Sequence, residues 1–132
     1  MPFVITRGEV EYEAGLILTG VAYKVFLATA GNLTLTSSLT AWENAELASS
    51  GGYSAVTGTV GNGTYNANTG RFNAPEITGQ FGPATGAGFT FDAMVIKLAG
   101  RSKPYAINLY TVPIVLAAGQ SRGFSITLGI KP

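Results

Sequence analysis

Apolar and polar residues alternate with period two along most of the chain, and this constrains the fold more than any other feature. Successive side chains of a strand point to opposite faces, so the pattern marks half-buried β structure. "GFSITLGI" (123–130) is the cleanest case: Phe124, Ile126, Leu128 and Ile130 share one face, and Ser125, Thr127 and Gly129 the other. "VAYKVFLAT" (21–29) sets Val21, Tyr23, Val25 and Leu27 against Phe26, and "YAINLYTV" (105–112) aligns Tyr105, Ile107 and Leu109. In "FTFDAMVIKLAG" (89–100), Phe89, Phe91, Ala93 and Val95 oppose Met94, Ile96 and Leu98, which predicts a strand covered on both sides in its second half. Shorter strands are expected at 3–6, 9–12, 32–36, 53–60, 63–66, 71–74 and 77–81.

Gly, Pro, Asn and Ser clusters separate these runs at short intervals, the signature of an antiparallel β-sandwich or barrel. No linker or repeat divides residues 1–132, so a single all-β domain is expected, with 1–18 as an N-terminal arm or edge strand. One segment departs from the rule. "SLTAWENAELASSGG" (38–52) reads as a short helix near residues 40–48, with Thr40 and Glu43 as a capping box and Gly51-Gly52 as the stop. Trp42 and Ala45 are expected to hold it onto the sheets.

The stretch "GNGTYNANTGRFNAP" (61–75) could cradle a phosphate or turn the chain. A phosphate loop needs a helix after it, and here an extended, proline-containing segment follows. Two tight turns are expected instead, at Asn62-Gly63 and at Asn68-Thr69-Gly70. The glycine-rich 81–89 stretch reads as a loop into the long strand.

Composition narrows the chemistry. The chain has no cysteine and no histidine, which removes disulfides, thiolate sites, and the commonest general base and transition-metal ligand. Net charge is +1 with no basic run, so nucleic acid is not an expected partner. The apolar stretch 16–31 ends in an A-x-A pattern, but Glu9, Glu11 and Glu13 stand where a signal peptide needs basic residues. Lys24 and Gly20 interrupt it, so neither a leader nor a membrane span is expected. Glu9, Glu11 and Glu13 share a strand face and could bind a hard cation. A solvated edge face is the favoured reading, because no Asp or Asn ligands flank them. Asp92 is expected to pair with Lys97 or Arg101. The sequons at Asn32 and Asn62 carry no weight without a secretion signal. No convergent set of base, nucleophile and metal ligands appears, so no catalytic residue, cofactor or metal is assigned and an enzyme is disfavoured.

Only 11% of residues are charged, against roughly 25% in ordinary domains, while 46% are hydrophobic. Such a surface predicts a homo-oligomer or a component of an assembly. Candidate contacts lie in the N-terminal segment: Pro2, Phe3, Val4, Ile5, Val10 and Tyr12. This arm could add a strand to a neighbour's sheet, or be the first strand of its own sandwich; both readings stay open.

Ala45-Glu46-Leu47 with Gly52-Tyr53 is followed by Tyr65 to Pro75, then Thr90-Phe91-Asp92-Ala93, then Gly119 to Leu128. This order of segments resembles that of small virion structural proteins of tailed bacteriophages. The likeness covers residues 20–130 in pattern. It implies a jelly-roll-like β-sandwich built into a virus particle and carries over no catalytic residues. The expected function is a capsid decoration (cement) protein on the capsid exterior, made in the host cytoplasm. It would be a homotrimer whose partners are its own copies and the major capsid protein. A tail, neck or fibre component is the alternative. A carbohydrate-binding module using Tyr65, Trp42 or Tyr105 is the second.

Overall fold

β-Branched and aromatic residues build eight strands and one short helix in the computed structural model, which describes residues 19–62, 64–66, 68, 71–73 and 76–127. The strands are β1 (Ala22–Ala28), β2 (Val56–Thr59), β3 (Thr64–Asn66), β4 (Arg71–Asn73), β5 (Glu76–Phe81), β6 (Phe89–Leu98), β7 (Ala106–Leu116) and β8 (Arg122–Thr127); the helix, α1, is Leu39–Asn44. The fold is all-β with antiparallel pairing. A four-stranded sheet has the order β2-β1-β6-β7, while β3 pairs with β4 and β5 with β8. Among the described residues no helix is long and apolar enough to cross a membrane.

The described residues fall into two compact units. The larger holds Ala22–Gly58 and Gly79–Phe124. At its centre β1 runs antiparallel to β6, with Phe26 opposite Val95 and Ala28 opposite Ala93. Val25 to Ala28 and Ala93 to Ile96 are all buried, so both faces of this pair are covered, as the double-sided apolar pattern of 89–100 predicts. On one face Phe26, Ala28, Ala93 and Val95 join Ala30 and Trp42 in a single cluster. Trp42 is fully buried, and its indole N–H donates to the Thr34 carbonyl at 3.3 Å. Burial of a large ring, not helix length, therefore holds α1, whose six residues are too few to be stable alone.

The ends of α1 differ from expectation. Ser38 is the N-cap, its hydroxyl accepting from the Ala41 N–H at 3.1 Å, and the helix stops at Asn44 with Ala45 as C-cap. Thr40 lies inside the helix, so Glu43 has no cap to complete. Gly51 and Gly52 form a later turn at φ +64° and +85°. A Cβ on Gly51 would collide with the Gly88 carbonyl, and one on Gly88 with the Leu116 carbonyl, so these backbones pack where only glycine fits.

A row of rings continues the core of this unit. Phe124 of β8 meets Phe81 of β5 at 5.3 Å between centroids, and Phe81 stacks on Tyr53 at 6.2 Å. Tyr53 meets Phe89 edge-on at 5.7 Å, and Phe91 lies 6.4 Å beyond Phe89. Offset and edge-to-face pairs of this kind contribute beyond simple burial.

In the second unit β3 and β4 form the expected hairpin across residues 67–70, with Tyr65 opposite Phe72. β2 and β3, which flank Asn62-Gly63, belong to different sheets, and Gly63 itself lies outside the described residues. Here the Gly20 N–H donates to the Val60 carbonyl and the Val60 N–H to the Val21 carbonyl, and Val60 and Ile77 are buried.

Candidate functional site

Two lysines fix how α1 and the turn after it sit on the sheet. Lys24 of β1 lies directly opposite Lys97 of β6, an arrangement that is repulsive by itself. Each is met by a carboxylate from the helical segment: Lys24 Nζ donates to Glu46 Oε1 at 2.8 Å, and Lys97 Nζ to Glu43 Oε2 at 3.0 Å. Glu46 has a second task. Its Oε2 accepts from the Tyr53 hydroxyl at 2.7 Å, while the Tyr53 oxygen accepts from the Leu27 N–H at 3.1 Å. Burial first, and the hydrogen bond to Glu46 second, push the Tyr53 phenol well above its ordinary pKa.

These groups are committed to structure. Asp92 pairs with neither Lys97 nor Arg101; its Oδ1 accepts from the Ala30 N–H at 2.7 Å and pins the chain after β1. Glu43 and Glu46 each hold a different lysine, so they are not a paired carboxylate site. Among the described residues no three acidic groups gather to hold a metal ion. Trp42 is enclosed and cannot stack on a sugar, which corrects its place among the sugar-binding candidates. Tyr105 is half-buried, and the Tyr65 side chain lies outside the described residues. Pro2, Phe3, Val4, Ile5, Val10 and Tyr12, with Glu9, Glu11 and Glu13, also lie outside them.

The surface that remains is on β7, which has one neighbour among the described strands, β6. The described residues expose four large apolar side chains, and three of them, Leu109, Val112 and Val115, are on this strand. Val112 is 73% exposed and Val115 63%. The register explains Val112. Phe91 pairs with Ile114 and Ala93 with Leu109, so Tyr110 to Pro113 bulge out opposite Asp92 alone. Such a bulge breaks the ladder and turns side chains away from their regular direction.

The bulge is anchored at one end. The Tyr110 ring meets Phe91 edge-on at 5.8 Å, and the Arg122 guanidinium lies over it at 5.8 Å from the centroid. Tyr110 is thus held inward while Val112 and Pro113 are presented outward. Sequence reasoning ends this strand at 112 and misses the feature. Pro113 was the available signal, since proline inside a strand belongs at an edge or a bulge.

No family model, no curated protein and no solved structure matches the chain.

Proposed function

We propose that this protein is a non-enzymatic structural subunit of a bacteriophage particle, acting as a decoration protein on the capsid exterior. The observation that carries the reading is the exposed apolar stretch on β7, where Leu109 and Val115 flank an anchored bulge that holds Val112 outward, in a chain with 11% charged residues. Exposed apolar side chains gain free energy by leaving water, at about 25 cal/mol per Å². A fixed bulge presents Val112 without first having to be ordered, which reduces the entropic cost of association.

The function needs no catalytic group. A decoration subunit holds neighbouring capsomers through many modest contacts, made here by Leu109, Val112 and Val115 against the capsid subunit or a second copy of the chain. The polar groups described above lock loops to the sheet, which suits a rigid clamp. A jelly-roll-like sandwich belongs to the same reading, with the rings of Phe81 and Phe124 as one layer and Phe89 and Phe91 as the other. So does the trimer expected from the family resemblance.

The experiment is the copy number of the chain in purified particles, by quantitative mass spectrometry against the major capsid subunit. A number comparable to that subunit supports decoration of the shell. A small multiple of the tail's symmetry moves the protein to the neck, tail or fibre, and complete absence from particles removes the virion reading.

A further inference from the structure

Of the basic residues whose side chains are described, Lys24 and Lys97 hold carboxylates and Arg122 lies over a ring. Arg101 and Lys103 are different. Both are exposed, and neither has an acidic partner among the described residues. They sit two positions apart in the connection between β6 and β7. With Ser102, Pro104 and Tyr105 they line a cavity of about 300 Å³.

The connection is held at both ends. The Ala99 N–H donates to the Ala22 carbonyl at 2.9 Å, the Arg101 N–H to the Leu98 carbonyl at 3.3 Å, and the Tyr105 N–H to the Ile96 carbonyl at 2.8 Å. Gly100 turns the chain at φ +76°, and Pro104 restricts the exit. Both cations therefore stand two positions apart on a tethered loop, with no acidic partner among the described residues.

Such a site selects its ligand by charge and size. Guanidinium, ammonium and hydroxyl groups donate hydrogen bonds, and the planar fork of arginine matches the oxygens of a phosphate or carboxylate. The cavity is at the small end of the range for ligand sites, roughly 300–1,000 Å³. We propose that the 99–105 loop is a binding site for a compact oxyanion, a phosphate or a carboxylate. The proposal is independent of the virion reading.

The test is a titration of the full chain, followed by amide NMR, with inorganic phosphate, with a hexaglutamate peptide, and with sodium chloride at matched ionic strength. Saturable shifts at residues 100–105 are expected with phosphate or the peptide and not with chloride. Tighter binding of phosphate identifies a free anion as the ligand, and tighter binding of the peptide a carboxylate on a protein partner. Arg101→Gln with Lys103→Gln should weaken the interaction by about tenfold or more, since charge-assisted bonds are the strong ones. Arg101→Lys with Lys103→Arg should retain most of it. Equal shifts with chloride, shifts located elsewhere, or unchanged affinity in the double Gln variant would each overturn the proposal.

Discussion

β6 and β7 are neighbours in one sheet, yet they obey different rules. From Ala93 to Ile96, β6 has every side chain buried, and its partner β1 is buried in the same way from Val25 to Ala28. β7 pairs with β6 through two separate registers, carries a proline, and leaves Leu109, Val112 and Val115 exposed. The difference lies in what each strand is constrained by. A strand packed on both faces resists slipping or bulging, because a shift would force every side chain into a close-packed space shaped for a different one. An outer strand keeps that freedom and can use it to present a surface. Stability is concentrated in one strand of the pair, and the candidate contact in the other.

Replacing Trp42 by Ala should break the comparison most severely. The ring is fully buried against Ala28, Ala93 and Val95, and truncations of this size cost about 3–5 kcal/mol; chemical denaturation would measure it. A smaller loss would mean that the covered face tolerates a cavity and that burial does not set the contrast. Gly88→Ala comes next. Its Cβ would run into the Leu116 carbonyl at a positive φ, so about 1–3 kcal/mol should be lost, because this backbone contact joins the buried start of β6 to the end of β7.

Tyr53 sharpens the comparison through pH. Its phenol is neutral when protonated, and its pKa in the folded protein is raised above the ordinary 10.0. The associated stability is therefore complete below pH 10.0 and is lost as the pH climbs from there toward the folded pKa. Denaturation measured as a function of pH should show this alkaline decline in the wild type and a shallower one in Tyr53→Phe. Identical slopes would show that the Glu46–Tyr53–Leu27 hydrogen bonds contribute nothing specific. Glu43→Gln should cost less, about 0.2–1 kcal/mol, because its partnership with Lys97 is partly exposed to solvent and screened.

Legibility in the sequence follows the same division. The two-sided apolar pattern of 89–98 predicts a doubly covered strand, and Asn68-Thr69-Gly70 predicts a hairpin, since local residues determine both. The helix is legible as an element, but its cap is not: the Thr40–Glu43 spacing imitates a capping box, while the cap is Ser38, which accepts from the Ala41 N–H. The partners of Asp92 and Glu43 are set by tertiary contacts 62 and 54 residues away, which no local pattern encodes. Asn62-Gly63 is a strong turn signal, yet the strands it separates join different sheets. Tyr110 to Pro113 are hidden for a related reason. Alternation assumes one continuous register, and the bulge breaks it where Pro113 is the only mark.

The smallest effect on folding should accompany the largest on assembly. Val112→Ser with Val115→Ser removes two exposed apolar side chains, so stability should change by no more than about 0.5 kcal/mol. The same double variant, mixed with particles lacking the wild-type chain, should bind them in clearly reduced copy number. Unchanged binding would exclude these side chains as the contact while leaving a virion role open elsewhere on the chain. A loss of stability equal to that of Trp42→Ala would mean that β7 is as constrained as β6. Stability intact with binding lost is the outcome that separates a contact strand from a core strand, because burial that appears only on association cannot be read from the free subunit's folding.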